Sequence, residues 1–130
     1  MSGKSRRCKA RATIICLRSG KILLVRKKGG KWNFPGGTVE DGEQPMQAAA
    51  RELEEETRLR CLALLQLCSV EVGNTVHHVF TTQFDDYAKA IANNEIVACK
   101  WVRRDQLDDT LLNPAAMALM LRQLPALCAS

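Results

Sequence analysis

The chain has 130 residues, 46% of them apolar and 25% charged, with a formal net charge of +5. That is the length of one domain, large enough to bury roughly two-thirds of the surface its unfolded chain exposes, and the composition excludes wholesale disorder. No apolar run approaches the roughly 20 residues of a membrane span, and Ala12 to Leu17 falls short of the roughly 7–15 of a secretory signal. The expectation is one cytoplasmic domain over residues 1–130, monomer or homodimer, with residues 1–8 as a flexible basic arm.

In chain order, Lys9–Leu17 and Lys21–Lys28 are β-rich runs separated by Ser19-Gly20, which predicts a hairpin. Trp32 to Phe34 is a short apolar stretch closed by the turn Pro35-Gly36-Gly37. Pro45 opens a predicted helix, where its missing N–H costs nothing, and Met46, Ala49, Ala50, Leu53 and Thr57 recur on one expected buried stripe. Strands are predicted over 59–72 and 75–84, turning at Gly73-Asn74, and again at 100–102. Asn113-Pro114 opens a last helix carrying Met117, Leu119, Met120, Leu121 and Leu124. Strands and helices interleave, so the fold class is α/β or α+β. The six cysteines form no C-x-x-C pair of the kind zinc prefers, and four stand among apolar residues, so they read as reduced structural thiols.

Charge is unevenly laid out. Residues 1–31 carry eleven bases and no acid, whereas residues 40–56 carry seven acids against one base, Arg51. On the predicted helix Glu52, Glu55 and Glu56 fall at i, i+3 and i+4, within one 100° arc. Three like charges at that spacing destabilise a bare helix. A solvated acidic face is the ordinary explanation, but hard divalent cations such as Mg²⁺ or Mn²⁺ take oxygen ligands and would remove the repulsion. Arg51, one turn before Glu55, is placed to hold that carboxylate.

Read as a string, Gly37, Glu43, Arg51-Glu52-Leu53, Glu55-Glu56 and Leu59 stand at fixed intervals. They match eight of the nine specified positions of G-x5-E-x7-R-E-U-x-E-E-x-G-U, where U is aliphatic. The chain therefore resembles the Nudix hydrolases, with W-N-F-P-G-G before the box and E-I-x4-W-V at 95–102 extending the likeness. The resemblance implies an α/β/α sandwich with a mixed β-sheet. It implies hydrolysis of a nucleoside diphosphate derivative, a small anionic diphosphate, with bound Mg²⁺ or Mn²⁺ neutralising the substrate's charge. Glu52, Glu55 and Glu56 would ligate the metal with the backbone carbonyl of Gly37, and Glu43 and Arg51 would orient them. The proton acceptor is left open between Glu55, Glu56 and Glu95. Arg58 departs from the pattern by replacing the glycine after the helix, which bears on the helix cap more than on the chemistry.

Smaller signals concern the substrate. Arg11, Arg26 and Lys28 alternate on the first two strands and are candidates to line a phosphate groove; Trp32 is a candidate for stacking on a base, as is Trp101. Asn113 is either a helix cap or, by resemblance, a base-reading residue. His77 and His78, adjacent on a strand, must face opposite sides. The short chain and W-N-F-P-G-G resemble the pyrophosphohydrolases that convert a nucleoside triphosphate to monophosphate and pyrophosphate. The alternatives are a diphosphoinositol polyphosphate or dinucleoside polyphosphate hydrolase, or a Nudix-fold module that binds nucleotide or nucleic acid. The basic arm lacks aromatics to stack bases, which speaks against nucleic acid as partner.

Overall fold

The computed structural model describes residues 9–61, 63–107 and 110–122. The expected arm at 1–8, with Cys8, Leu124 and Cys128, lies outside the described residues. Among the described residues no helix is long and apolar enough to cross a membrane, and Cys16, Cys61, Cys68 and Cys99 are free thiols.

Strand β1 (Lys9–Arg18) is the centre of the sheet. Ala12 to Cys16 is buried without interruption, the pattern of a strand covered on both faces. β1 pairs in parallel with β6 (Thr75–Gln83) along its length. It pairs antiparallel with β2 (Lys21–Lys27) and with β4 (Gly36–Thr38), so the sheet is mixed. β2 carries β3 (Trp32–Asn33) and β7 (Ile96–Arg103), and β6 carries β5 (Leu65–Val72). Helix α1 (Pro45–Thr57) buries Ala48, Ala49 and Leu53 against Ala12, Ile14, Cys16, Leu23 and Phe80. Helix α2 (Pro114–Leu121) buries Ala116 and Leu119 on the opposite face, against Ile15, Ile22, Leu24, Val79 and Val102. The layers are α/β/α, as the family resemblance implies.

Three local expectations need correction. The first concerns the hairpin. β1 and β2 pair only at Leu17–Ile22 and Arg18–Lys21, beside the turn. Beyond that they part, because Phe34 and β4 fill the fork and Phe34 is itself fully buried. The second concerns the helix stripe. It runs through Ala48, Ala49, Leu53, Glu56 and Thr57, leaving Met46 exposed and Ala50 at the edge, since the helix presents its small residues to the sheet. The third is the strand expected from Leu59. β5 begins at Leu65, where its ladder with β6 starts at Leu65–Thr81.

The C-terminus of α1 is unusually well closed. A helix leaves its last four carbonyls without intrahelical donors. Here Arg58 N–H donates to the Glu54 carbonyl at 2.8 Å, and Asn93 Nδ2 donates to that of Glu55 at 2.9 Å. Asn93 N–H reaches the Glu56 carbonyl at 3.1 Å, and Ile91 N–H that of Thr57 at 2.9 Å. The segment before β7 is thereby fastened to the helix end. Arg58 takes the left-handed conformation, φ 63°, that a C-cap requires. A non-glycine residue there costs about 1 kcal/mol. Arg58→Gly should therefore stabilise the fold by roughly 0.5–1 kcal/mol in urea or thermal melts; a loss of stability would mean the arginine side chain supports the fold.

Candidate active site

Two glycines bring the backbone of β4 against α1. At Gly36, with φ 150°, a Cβ would stand 2.1 Å from the Ala12 carbonyl oxygen. At Gly37 a Cβ would stand 2.3 Å from the Glu52 carboxylate. The absence of both side chains lets the helix carboxylates reach the strand. Gly36 N–H then donates to Glu56 Oε1 at 3.0 Å.

Arg51 organises the rest. Its Nε and Nη2 meet the two oxygens of Glu43 at 2.8 and 3.0 Å, a bidentate pair. Its Nη1 lies 3.1 Å from Glu52 Oε2 and 3.3 Å from Glu55 Oε1, and Nη2 also donates to the Thr38 carbonyl. The expected Arg51–Glu55 contact is thus one strand of a larger clamp. The Arg51 hydrogen bonds pull the Glu43 carboxyl down to about 2, and its own charge is reinforced in return.

The carboxylates facing the sheet behave oppositely. Glu56 is only 4% exposed. Burial raises its carboxyl to about 7, against the opposing pull of Gly36 N–H and Arg11; Glu52 and Glu95 push the same way as burial. Glu52 is also raised, first by burial and then by its acidic neighbours, although Arg51 resists. Arg11 is half-buried beside this group, held by Phe34 O at 3.1 Å and by Thr13 Oγ1 at 3.2 Å. Thr13 in turn meets Nδ1 of buried His77 at 3.2 Å, so His77 steadies Arg11 from within. His78 faces the other side, against Ser69, as adjacency on a strand demands.

Where the β1–β2 fork opens there is a cleft of about 250 Å³. Arg11, Glu56, Lys27, Lys31, Asn33 and Asn113 supply its polar wall, and Val25, Phe34 and Ile96 its apolar one. Of the three bases expected to share a groove, Arg11 lines this cleft and Arg26 and Lys28 do not. A continuous hairpin would have set all three on one face; because the strands part, Lys27 faces the cleft instead. Arg26 packs over Trp32, with its guanidinium carbon 5.4 Å from the ring centroid, and Lys28 is exposed beyond the end of β2. Trp32 lies outside the cleft, against the core beneath α2 and under Lys100. Trp101 packs on Phe84 and Arg18. Asn113 caps α2, its Oδ1 accepting from Ala115 and Ala116 N–H, while still bordering the cleft. Glu95 is half exposed, pairs with Lys27 at 3.5 Å, and lies close enough for its charge to act on Glu52 and Glu56.

Among the described residues no three acidic, His or Cys side chains already form a ligand cage. The reason is visible: Arg51 holds Glu52 and Glu55, and Glu56 is turned to Gly36. The donor chemistry still suits a hard divalent cation, since the row is all oxygen and two members are raised by burial and mutual repulsion. Sequence reasoning missed Lys27, Lys31 and Asn33 as cleft residues and Asn93 as the fastening of the helix end. Asn33 lies inside W-N-F-P-G-G and was within reach; Asn93 carries no local signal.

The raised Glu56 carboxyl has a definite sign in stability. The folded state takes up its proton near pH 7 and the unfolded chain only near 4.5, so stability rises as pH falls between them. Referenced to Glu56→Gln, the metal-free protein should gain about 2 kcal/mol between pH 8 and pH 5 in urea melts. Parallel pH profiles for the two proteins would return this carboxyl to its ordinary value.

A family model for the NUDIX domain matches residues 7–124. The chain is 30% identical over 110 residues to the CTP pyrophosphohydrolase of Escherichia coli K12, covering 79% of this chain and 82% of that one. It is 50% identical over 48 residues to the RNA pyrophosphohydrolase of Tolumonas auensis, covering 36% of this chain and only 28% of that protein's length. A crystal structure of a Nudix hydrolase family member from Chromobacterium violaceum superposes with a TM-score of 0.77 at 28% identity. That likeness covers 88% of this chain and 75% of the other.

Proposed function

The chain belongs to the Nudix family, and from that premise we propose that it hydrolyses the diphosphate linkage of a nucleoside diphosphate derivative. The substrate class we infer is a nucleoside triphosphate, giving monophosphate and pyrophosphate. One observation carries this: a small cleft with half-buried Arg11 in its wall ends at Glu56, the innermost member of the carboxylate row. At about 250 Å³ it falls below the ~300–1,000 Å³ of whole-ligand cavities, so it suits the nucleoside end and leaves the phosphates over the row. The likeness to the CTP pyrophosphohydrolase runs over most of both chains, whereas that to the RNA enzyme is confined to 48 residues, which favours a free nucleotide.

Glu52, Glu55 and Glu56, with the Gly37 carbonyl, are the groups that would hold Mg²⁺ or Mn²⁺. The bound metal supplies charge neutralisation of the diphosphate and acidification of water. Arg11 contributes a fixed positive charge at the cleft, with His77 and Thr13 preventing its withdrawal. Arg51 and Glu43 keep the row aligned. Glu95 takes the proton from the attacking water in this reading. Neither Arg51 nor Gly36 engages it, its charge reaches Glu52 and Glu56, and its exposed pair with Lys27 is weak enough to open.

The test is a product assay with a nucleoside triphosphate and Mg²⁺. Monophosphate and pyrophosphate should form, EDTA should stop the reaction, and Glu95→Gln should lower kcat by ~10²–10⁴ with Mn²⁺ affinity unchanged. Turnover under full chelation, or orthophosphate as first product, contradicts the proposal. Weakened Mn²⁺ binding in Glu95→Gln would make that residue a ligand.

A further inference from the structure

A second cavity, of about 670 Å³, opens beside the carboxylate row and shares no lining residue with the nucleoside cleft. Glu56 borders the cleft, and Glu55, the next residue back, borders this cavity, so the row lies between them. The remaining wall is Arg51, Glu54, Arg58, Arg60, Asn93 and Asn94.

Its charges are unequally committed. Arg51 is engaged by Glu43, and Arg60 pairs with Glu54 at 3.0 Å on an exposed surface, a partner easily exchanged. The Arg58 guanidinium has no partner among the described residues. A helix C-terminus ordinarily repels anions, but here the last four carbonyls of α1 already have donors. Backbone strain also gathers here. Of the non-glycine residues described with positive φ, Arg58 (63°) and Asn94 (51°) both line this cavity. Strain of that kind clusters where geometry serves a site, and an arginine is held where glycine would sit without strain.

We propose that this cavity is a phosphate subsite, in which Arg58, backed by Arg60, receives the outgoing diphosphate end of the substrate. It rests on the reading above, in which the nucleoside occupies the cleft and the phosphates cross the carboxylate row. A guanidinium presents paired donors that match phosphate oxygens, and Asn94 in the same wall carries a further amide.

The test is calorimetric titration of inorganic pyrophosphate, in magnesium buffer, into the wild-type protein, Arg58→Gly and Arg58→Ala. The wild type should bind, and both variants should bind about tenfold more weakly, while a nucleoside monophosphate binds all three alike. Arg58→Ala keeps the strained backbone and Arg58→Gly relieves it, so equal losses assign the effect to the guanidinium. A wild type that does not bind pyrophosphate, an Arg58→Gly affinity within twofold of wild type, a loss in Arg58→Ala alone, or equal loss for the monophosphate would each overturn the subsite. Turnover of the same preparations separates the two readings. Arg58-dependent pyrophosphate binding without hydrolysis would leave the subsite standing and remove the enzymatic assignment.

Discussion

A helix can bury a carboxylate in a sheet only if something there donates to it, and in this chain that donor is the backbone N–H of Gly36. Its contact with Glu56 fixes the rotation of α1, because Leu53, Glu56 and Thr57 must then face the sheet together. It also requires glycine on the strand, since any Cβ at position 36 would drive into the Ala12 carbonyl. Gly37 extends the same constraint to Glu52. From this contact the other parts follow: Arg51 must reach back to Glu43 to balance the exposed end of the row, and Asn93 must close the helix behind it.

The arrangement is electrostatically divided. Glu43 and Arg51 form a pair whose hydrogen bonds favour the ionised state, whereas Glu56 is driven toward its neutral form by burial. One side of the box is therefore a stable frame and the other holds charge at a cost. Chemistry on a diphosphate needs both. The frame keeps three acids in register, and the unfavourable charge is what a cation can relieve. The Arg11–Thr13–His77 chain gives the cleft a positive charge that also acts on Glu56 at the end of the row.

Much of this was legible because it is local. Helix spacing sets Glu52, Glu55 and Glu56 on one face, Pro45 marks the helix start, and the glycine position that Arg58 fills marks the helix cap. What failed depended on strands meeting or parting at a distance. Arg26 and Lys28 looked equivalent to Arg11 only on the assumption of a continuous hairpin, which Phe34 prevents by entering the fork. Among the described residues, the strand expected from Leu59 has no ladder partner before Leu65. Asn93 lies 38 positions from the carbonyl it caps, a separation no periodicity announces. The sandwich itself came from the family resemblance and not from the pattern of residues.

The central claim is that the row stores unfavourable negative charge that a divalent cation relieves, with Glu56 giving up a proton as it binds. Calorimetric titration of Mn²⁺ at pH 6.5, repeated in buffers of different ionisation enthalpy, counts that proton directly. Mn²⁺ should bind with release of roughly 0.5–1 proton in the wild type, and far less in Glu56→Gln. Mn²⁺ binding with no proton released, or no binding at all, would contradict it.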